Sequence, residues 1–183
     1  MNFMETAVKD AFIIEIEKKT DDRGFFARTW CRNEFEDHGL KGDLVQSNLS
    51  FNKRKGTLRG LHFQTRPYEE TKLVRCTKGA IYDVIVDLRP HSPTFRQWIG
   101  VELTEKNYTM LYVPEGFAHG FQTLEDNTEV VYHVSQSYVP NAEHGIRWDD
   151  PTFKIEWPMT EERTISSKDQ MWPYYVEEKP KVS

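Results

Sequence analysis

The chain has 183 residues, of which 38% are hydrophobic and 13% aromatic, and its formal net charge is −5 at pH 7. This length fits one domain better than two, and the hydrophobic content is sufficient for a core, which excludes a disordered chain. The acidic balance argues against broad binding to nucleic acid or anionic membranes, although 24 Lys and Arg residues allow a local pocket for a small anion.

Cysteine spacing and apolar content indicate the cellular compartment. Cys31 and Cys76 form no Cys-x-x-Cys motif, so neither a zinc site nor a disulfide framework is indicated. The N-terminal MNFMETAVKDAF lacks the continuous apolar segment of a signal peptide, and no later stretch has the length of a membrane span. We therefore expect a cytoplasmic protein without a membrane partner.

The N-terminal part of the chain reads as short strands separated by turns. Residues 11–17 (AFIIEIE) are β-rich, and the KKTDDRG turn leads into FFARTW, so the two runs predict an opening β-pair. Residues 33–39 (NEFEDHG) predict a short helix that a glycine ends. Strand character resumes at residues 44–51, and the basic NKRKG that follows is interpreted as an exposed hairpin tip.

From residue 57 to residue 134, short strands follow one another without a long helical period. Alternation in AIYDVIVDL places Val84 and Val86 on one face and Asp83 and Asp87 on the other. Later residues are rich in turns, with a short helix that Ser166 or Ser167 could cap, and residues 177–183 read as a frayed tail. The pattern predicts a single all-β domain over residues 1–183, a jelly roll or barrel with a few short peripheral helices.

Three cationic or titratable residues, Arg59, His62 and Lys72, lie in the strand-like runs at the centre of the chain. Counting with a period of two places His62 and Lys72 where adjacent strands could direct them into one cavity. Taken singly, a strand histidine is more often a hydrogen-bonded core or surface residue. Their clustering favours a functional site on rigid strands.

Two further residues each allow a structural and a functional interpretation. Tyr132 shares a face with Val130 and Val134, so its ring points inward, where a buried hydroxyl either bonds a backbone carbonyl or serves the chemistry. Asp169, within SSKDQ, by itself resembles an ordinary solvent-facing helix residue. The residues alone leave both alternatives open.

The chain lacks the motifs of several enzyme classes. His62 and His119 each have no second histidine two residues further on, as a metal site between neighbouring strands would favour. No GxGxxG, P-loop or GxSxG motif supports dinucleotide redox, nucleotide hydrolysis or serine-hydrolase chemistry. We expect neither a metal nor a cofactor.

Six motifs, in order, carry a resemblance to a known family: DDRGFFARTW, GTLRGLHFQ, KLVRCTKGAIYDVIVDLRPHSPTF, PEGFAHGFQTL, GIRWDDP and ISSKD. They resemble the dTDP-4-dehydrorhamnose 3,5-epimerase family of nucleotide-sugar enzymes, over nearly the whole chain. The resemblance implies a cupin-type jelly roll, usually a homodimer with exchanged N-terminal strands, that acts without cofactor or metal. Its substrate would be a nucleotide-diphosphate 4-ketosugar, in the biosynthesis of deoxysugars for surface polysaccharides or glycosylated metabolites.

The family reaction inverts carbons beside the C4 ketone of a 4-keto-6-deoxy sugar, and the resemblance implies a role for each catalytic residue. His62 would remove the α-proton, and Asp169 would orient and stabilise its imidazole. Lys72 would stabilise the enolate at the C4 oxygen. Tyr132 would return a proton to the opposite face of the ring.

The resemblance also implies substrate-binding residues. Arg23 and Arg59 would contact the diphosphate or sugar, and Phe26 and Tyr138 would stack beside the base. Without the resemblance, each arginine could equally well form a surface or strand-edge ion pair. The other substrate-site positions are Arg28, Gln46, Asn48, His119, Glu143 and Lys168.

One position departs from the family pattern. Arg28 stands where the family usually has a Glu that helps to read the nucleotide, and Ser47 stands where an Asp is common. A guanidinium only donates hydrogen bonds whereas a carboxylate only accepts them, so we hypothesise a different nucleotide or sugar. The alternative is that Arg28 points outward and changes nothing.

Two other functions compete with the epimerase. A non-catalytic sugar-binding cupin would be expected to lose the base, its carboxylate or the acid, yet His62, Asp169 and Tyr132 are all present. A 3,4-ketoisomerase on the same fold would not be expected to keep the KLVR, PEGFAHGF and WDDP motifs together. The sequence therefore favours the epimerase.

Overall fold

A computed structural model of the chain describes residues 1–159, 161 and 163–176. The predicted tail at residues 177–183 lies outside the described residues. The helices are α1 (Arg32–Asp37), α2 (Ser167–Met171) and a 3-10 turn (Pro140–Ala142). The strands are β1 (Asn2–Glu5), β2 (Phe12–Glu15), β3 (Lys19–Asp21), β4 (Gly24–Phe26), β5 (Gln46–Asn52), β6 (Thr57–Gln64), β7 (Lys72–Lys78), β8 (Ala80–Asp87), β9 (Trp98–Thr104), β10 (Met110–Val113), β11 (Phe117–Thr123), β12 (Thr128–Val134), β13 (Glu143–Gly145) and β14 (Thr164–Ile165).

Two sheets form the body of the domain, and the jelly-roll expectation is confirmed. The first sheet has the order β1-β2-β10-β7-β12-β5, and the second has the order β13-β6-β11-β8-β9 with β14 also beside β6. All pairs are antiparallel except β14 with β6. Strands β3 and β4 form a separate hairpin.

Three apolar clusters explain why so many strands are buried on both faces. The central cluster lies between the sheets, where Val74 of β7 packs with Ile85 of β8. A second cluster covers the outer face of the second sheet with the C-terminal segment, including Trp157. The third covers part of the first sheet with α1, through Phe35. Alternation in β8 is thus confirmed, but each of its faces meets a different core, as in a strand sandwiched between layers.

Local predictions succeeded better than predictions of which segments pair. The short helix at residues 33–39 and the cap by Ser166, which accepts a hydrogen bond from the Asp169 backbone N–H, are confirmed. The opening β-pair is wrong in its partners, because β2 pairs with β1 and β10 while the KKTDDRG turn closes the β3–β4 hairpin. The basic residues 53–55 of the NKRKG turn are exposed, yet the turn joins β5 and β6, which lie in different sheets, so it is not a hairpin tip.

Within the described residues, no helix is long and apolar enough to cross a membrane.

Candidate active site

A bulge in β6 places Arg59 and His62 on the same face of the second sheet. Simple alternation would direct residues three apart to opposite faces. In the pairing of β6 with β11, His62 lies opposite His119 and Arg59 opposite Phe121, so β6 holds one extra residue. Gly60 sits in this bulge at φ +128°, and a Cβ there would lie 2.5 Å from the Gly120 Cα, so only glycine fits.

His62 forms a hydrogen bond with Asp169. The distance from His62 Nε2 to Asp169 Oδ1 is 2.6 Å, and Asp169 is only 4% exposed. Because a carboxylate only accepts hydrogen bonds, this contact places the imidazole hydrogen on Nε2 and leaves Nδ1 free to take a proton. The interpretation of Asp169 as a solvent-facing helix residue is therefore wrong.

Contacts with β6, chiefly with the His62 side chain, favour the ionised form of the Asp169 carboxylate. Burial by itself raises the pKa of Asp169, but its hydrogen bond to His62, the charge of His62 and the Gly60 backbone N–H keep that pKa below its usual range. Asp169 reaches β6 because β14 runs parallel to the first residues of that strand and leads directly into α2. The carboxylate thus comes from the far end of the chain.

Lys72 and Tyr132 face His62 from the opposite sheet. Lys72 begins β7 and Tyr132 lies on the neighbouring β12, both in the first sheet, whereas His62 belongs to the second. The expectation that adjacent strands carry His62 and Lys72 is therefore wrong, although both side chains line the same cavity. The inward orientation of Tyr132 is confirmed by its packing against the central cluster.

The cavity between the two sheets has a volume of about 420 Å³. Polar side chains from both sheets line it. Nine of the sequence-predicted residues line it: Gln46, Asn48, Arg59, His62, Lys72, His119, Tyr132, Tyr138 and Glu143.

Several of the predicted substrate-binding residues contact one another at the rim. Glu143 accepts hydrogen bonds from the Tyr138 hydroxyl at 2.5 Å and from the Lys168 ammonium at 2.6 and 2.7 Å. Through this contact Lys168 lies at the rim of the cavity, although it does not line the cavity itself. Gln46 donates to Asn48 Oδ1 and accepts from the Tyr138 backbone N–H. These contacts join the edge of the first sheet to the loop before β13.

Arg59 and His119, both on the second sheet, are each hydrogen-bonded to a buried side chain. Arg59 donates through Nε to Asn52 Oδ1 at 2.8 Å, which leaves its terminal nitrogens facing the cavity. His119 Nε2 lies 2.7 Å from Asp83 Oδ1, and Asp83 is fully buried. The orientation of each side chain is therefore set by a buried partner.

The structure does not bring Arg23, Phe26 and Arg28 to this cavity. Arg23 is 89% exposed and pairs with Asp21, whereas Phe26 on β4 is 72% exposed. Arg28 forms an ion pair with Glu34 at 2.7 Å, beside a small second cavity. Within one chain, these three residues therefore lie apart from His62, and their part in substrate binding stays a prediction.

Glu70 and Gln64 line the cavity as well, and sequence reasoning assigned them no role. Glu70 Oε1 lies 2.5 Å from the Lys72 ammonium, and Gln64 donates to Glu70 Oε2 at 2.6 Å. The sequence did contain one signal for Glu70. It precedes Lys72 by two residues, and an extended chain directs both side chains to the same side.

The arrangement suits proton transfer at carbon. A histidine with an oriented carboxylate stands on one wall, and a phenol and an ammonium stand on the other. In the described part of the chain, no three His, Cys, Asp or Glu side chains come together in a way that could hold a metal ion.

Comparison with known proteins agrees with this geometry. The sequence profile of the family described as dTDP-4-dehydrorhamnose 3,5-epimerase matches residues 5–177. A dTDP-4-dehydrorhamnose 3,5-epimerase from Shigella flexneri is 45% identical over 170 residues, covering 92% of this chain and 93% of that protein.

Solved structures agree as well. The crystal structure of the dTDP-4-dehydrorhamnose 3,5-epimerase from Bacillus anthracis, with TDP and PPi bound, has a TM-score of 0.91 and 44% identity over 95% of this chain and 99% of that one. A Legionella pneumophila 3,5-epimerase in complex with dTDP-4-keto-L-rhamnose has a TM-score of 0.89 and 37% identity, over 94% and 92% of the two chains. This chain belongs to the dTDP-4-dehydrorhamnose 3,5-epimerase family, whose members are isomerases of deoxysugar biosynthesis.

Proposed function

We propose that the protein inverts both C3 and C5 of a dTDP-linked 4-keto-6-deoxy sugar, without a metal or cofactor. The observation that carries the proposal is the 2.6 Å His62–Asp169 contact facing Lys72 and Tyr132 across one cavity. The family supports the sugar and the two carbons, and the TDP bound to the Bacillus anthracis relative supports the nucleotide.

The four catalytic residues act in sequence on the carbon beside the ketone. His62 Nδ1 takes the α-proton, and the C–H electron pair moves into the C–C bond as negative charge develops on the C4 oxygen. The Lys72 ammonium stabilises that charge, while Asp169 stabilises the imidazolium. The Tyr132 hydroxyl then donates a proton to the opposite face, which inverts the carbon.

The surroundings of Tyr132 suit a proton donor. Burial raises the pKa of the Tyr132 phenol, the carboxylate of Glu70 raises it further, and the guanidinium of Arg59 opposes the rise. At neutral pH the phenol therefore keeps its proton until an enolate is present to take it. The remaining cavity residues, including Arg59, His119 and Tyr138, supply donors and a ring for the diphosphate, sugar and base.

Incubation of a 4-ketosugar nucleotide in heavy water tests the proposed reaction. We expect deuterium at both C3 and C5, because each inversion replaces a carbon-bound proton with one from solvent, and NMR of the product locates the label.

Running the dTDP-, CDP- and GDP-linked ketosugars side by side tests whether Arg28 alters nucleotide choice. Label at neither carbon with any donor would refute the epimerase; label only with a CDP or GDP donor would refute the assignment of dTDP.

The proposal includes a homodimer in which the β3–β4 hairpin of one copy completes the cavity of the other. Arg23 and Phe26 on this hairpin are exposed in the single chain, as are Leu49 and Phe51 on the edge strand of the first sheet. Strand exchange would also bury these apolar side chains. We further propose a cytoplasmic location, which suits the free thiols Cys31 and Cys76.

Complementation tests the shared site. A His62→Ala chain and an Arg23→Ala/Phe26→Ala chain, each of low activity alone, are expected to regain about a quarter of the wild-type activity when co-expressed. Random pairing makes half of the molecules heterodimers, and one of their two cavities combines an intact His62 with an intact hairpin. The rate of epimerisation and the molecular mass by light scattering are measured together. A monomeric mass, or no recovery in verified heterodimers, would contradict the shared site.

A further inference from the structure

Glu70 is a nearly buried carboxylate in the cavity. Its side chain is 11% exposed and that of Lys72 is 9% exposed, and the 2.5 Å contact joins Glu70 Oε1 to the Lys72 Nζ. Glu70 touches neither His62 nor Asp169 through any hydrogen bond found among the described residues. It is therefore linked to the proposed chemistry through Lys72.

Gln64 fixes the second oxygen of this carboxylate. Its side-chain amide donates to Glu70 Oε2 at 2.6 Å and to the Tyr68 carbonyl at 2.9 Å, and its oxygen accepts from the Val139 N–H at 2.7 Å. Gln64 is itself 4% exposed, so solvent does not compete for these bonds. A carboxylate bonded through both oxygens cannot swing away from Lys72.

The Lys72 ammonium can stabilise charge on one substrate oxygen only if its position is restricted. This ammonium sits on a flexible four-carbon stem and has three donors that rotate freely. One donor held by Glu70 limits the positions of Nζ and leaves two donors for a substrate oxygen. The entropy of ordering the side chain is then lost during folding instead of during the reaction.

We propose that Glu70, held by Gln64, is a positioning residue that anchors Lys72 for the enolate and places a negative charge near Tyr132. The inference rests on the proposed roles of Lys72 and Tyr132. The anchoring follows from the contacts of Glu70. The influence on Tyr132 follows from the shared cavity that both side chains line. It agrees with the raised pKa of the Tyr132 phenol, to which burial contributes most and Glu70 contributes next.

Steady-state kinetics of Glu70→Ala test whether Glu70 positions the Lys72 ammonium. We expect kcat to fall at least about tenfold while KM changes by less than about threefold, because the lost charge-assisted hydrogen bond matters most where charge develops on the substrate. Glu70→Gln is expected to lose less, since its amide oxygen still accepts from Lys72. Glu69→Gln is the matched control, because its neighbouring carboxylate pairs with Arg66 at the surface instead. A wild-type kcat in folded Glu70→Ala, or an equal loss in the control, would overturn the proposal.

A second measurement needs no turnover, so it remains informative even where the proposed reaction fails. Fluorotyrosine is incorporated throughout the protein, and the ¹⁹F resonance of residue 132 is identified by its absence in Tyr132→Phe. Fluorination lowers the pKa of each of the eight tyrosines and brings their titration into an accessible range. Because Glu70 raises the pKa of Tyr132, the midpoint is expected to move to lower pH in Glu70→Gln and to stay in place in Glu69→Gln. An unchanged or higher midpoint in Glu70→Gln would overturn the proposal.

Discussion

His62→Ala is expected to lower both deuterium exchange and inversion by at least about 10³-fold. The substitution removes the only imidazole that lies beside Asp169 in the described residues, and with it the Nδ1 that would accept the carbon-bound proton. Lys72 and the rest of the cavity remain, so binding of the nucleotide should change little. The measurement is NMR detection of label at C3 and C5 in heavy water, together with a calorimetric titration of dTDP.

Two further variants test whether the loss of activity is specific to His62 and to its role as the base. His91→Ala removes an exposed histidine outside the cavity and should leave both rates at the wild-type level. Tyr132→Phe should retain exchange, since the base is intact, while inversion falls by about 10²-fold or more because the opposite face receives no proton. Inversion at an undiminished rate in either His62→Ala or Tyr132→Phe would show that the assigned roles are wrong.

Asp169→Asn is expected to lower kcat by about 10³-fold or more, the second largest effect. An amide can donate to His62 Nε2, which would move the imidazole hydrogen to Nδ1 and block the atom that should take the proton. The neutral amide also fails to stabilise the imidazolium that forms during the reaction. Initial rates at saturating substrate measure the loss, with the exposed Asp37→Asn as control.

The same variant has a pH-dependent effect on stability. Because the pKa of Asp169 in the folded protein lies below its usual range, the ionised carboxylate stabilises the fold above the ordinary pKa of aspartate. That contribution disappears as the pH falls through the lowered pKa. We expect Asp169→Asn to reduce the free energy of unfolding at pH 7 by about 1–3 kcal/mol, with a smaller difference in acid. Urea unfolding at both pH values measures this, and a difference that grows in acid would contradict it.

Particular residues show how far the sequence could predict the site. Tyr132 could be identified as inward-facing because alternation along a strand is a local property, whereas His62 and Lys72 could only be named as candidates for a shared cavity. Asp169 had an ordinary local pattern, and only the resemblance to the family singled it out. Glu70 escaped notice because its spacing from Lys72 indicates only a shared side of the chain, whereas the contact with Gln64 depends on tertiary structure.

The sequence by itself determined the all-β class, the short strands, the glycine that follows α1 and the Ser166 cap of α2. These follow from side-chain period, turn chemistry and composition, which act over a few residues. Tertiary structure alone decided that Lys72 faces His62 from the opposite sheet, that the bulge at Gly60 turns Arg59 inward, and that Asp169 returns to β6. It also decided that Arg28 pairs with Glu34 away from the cavity. These features depend on pairing and register between distant segments, which are set by the packing of the whole chain.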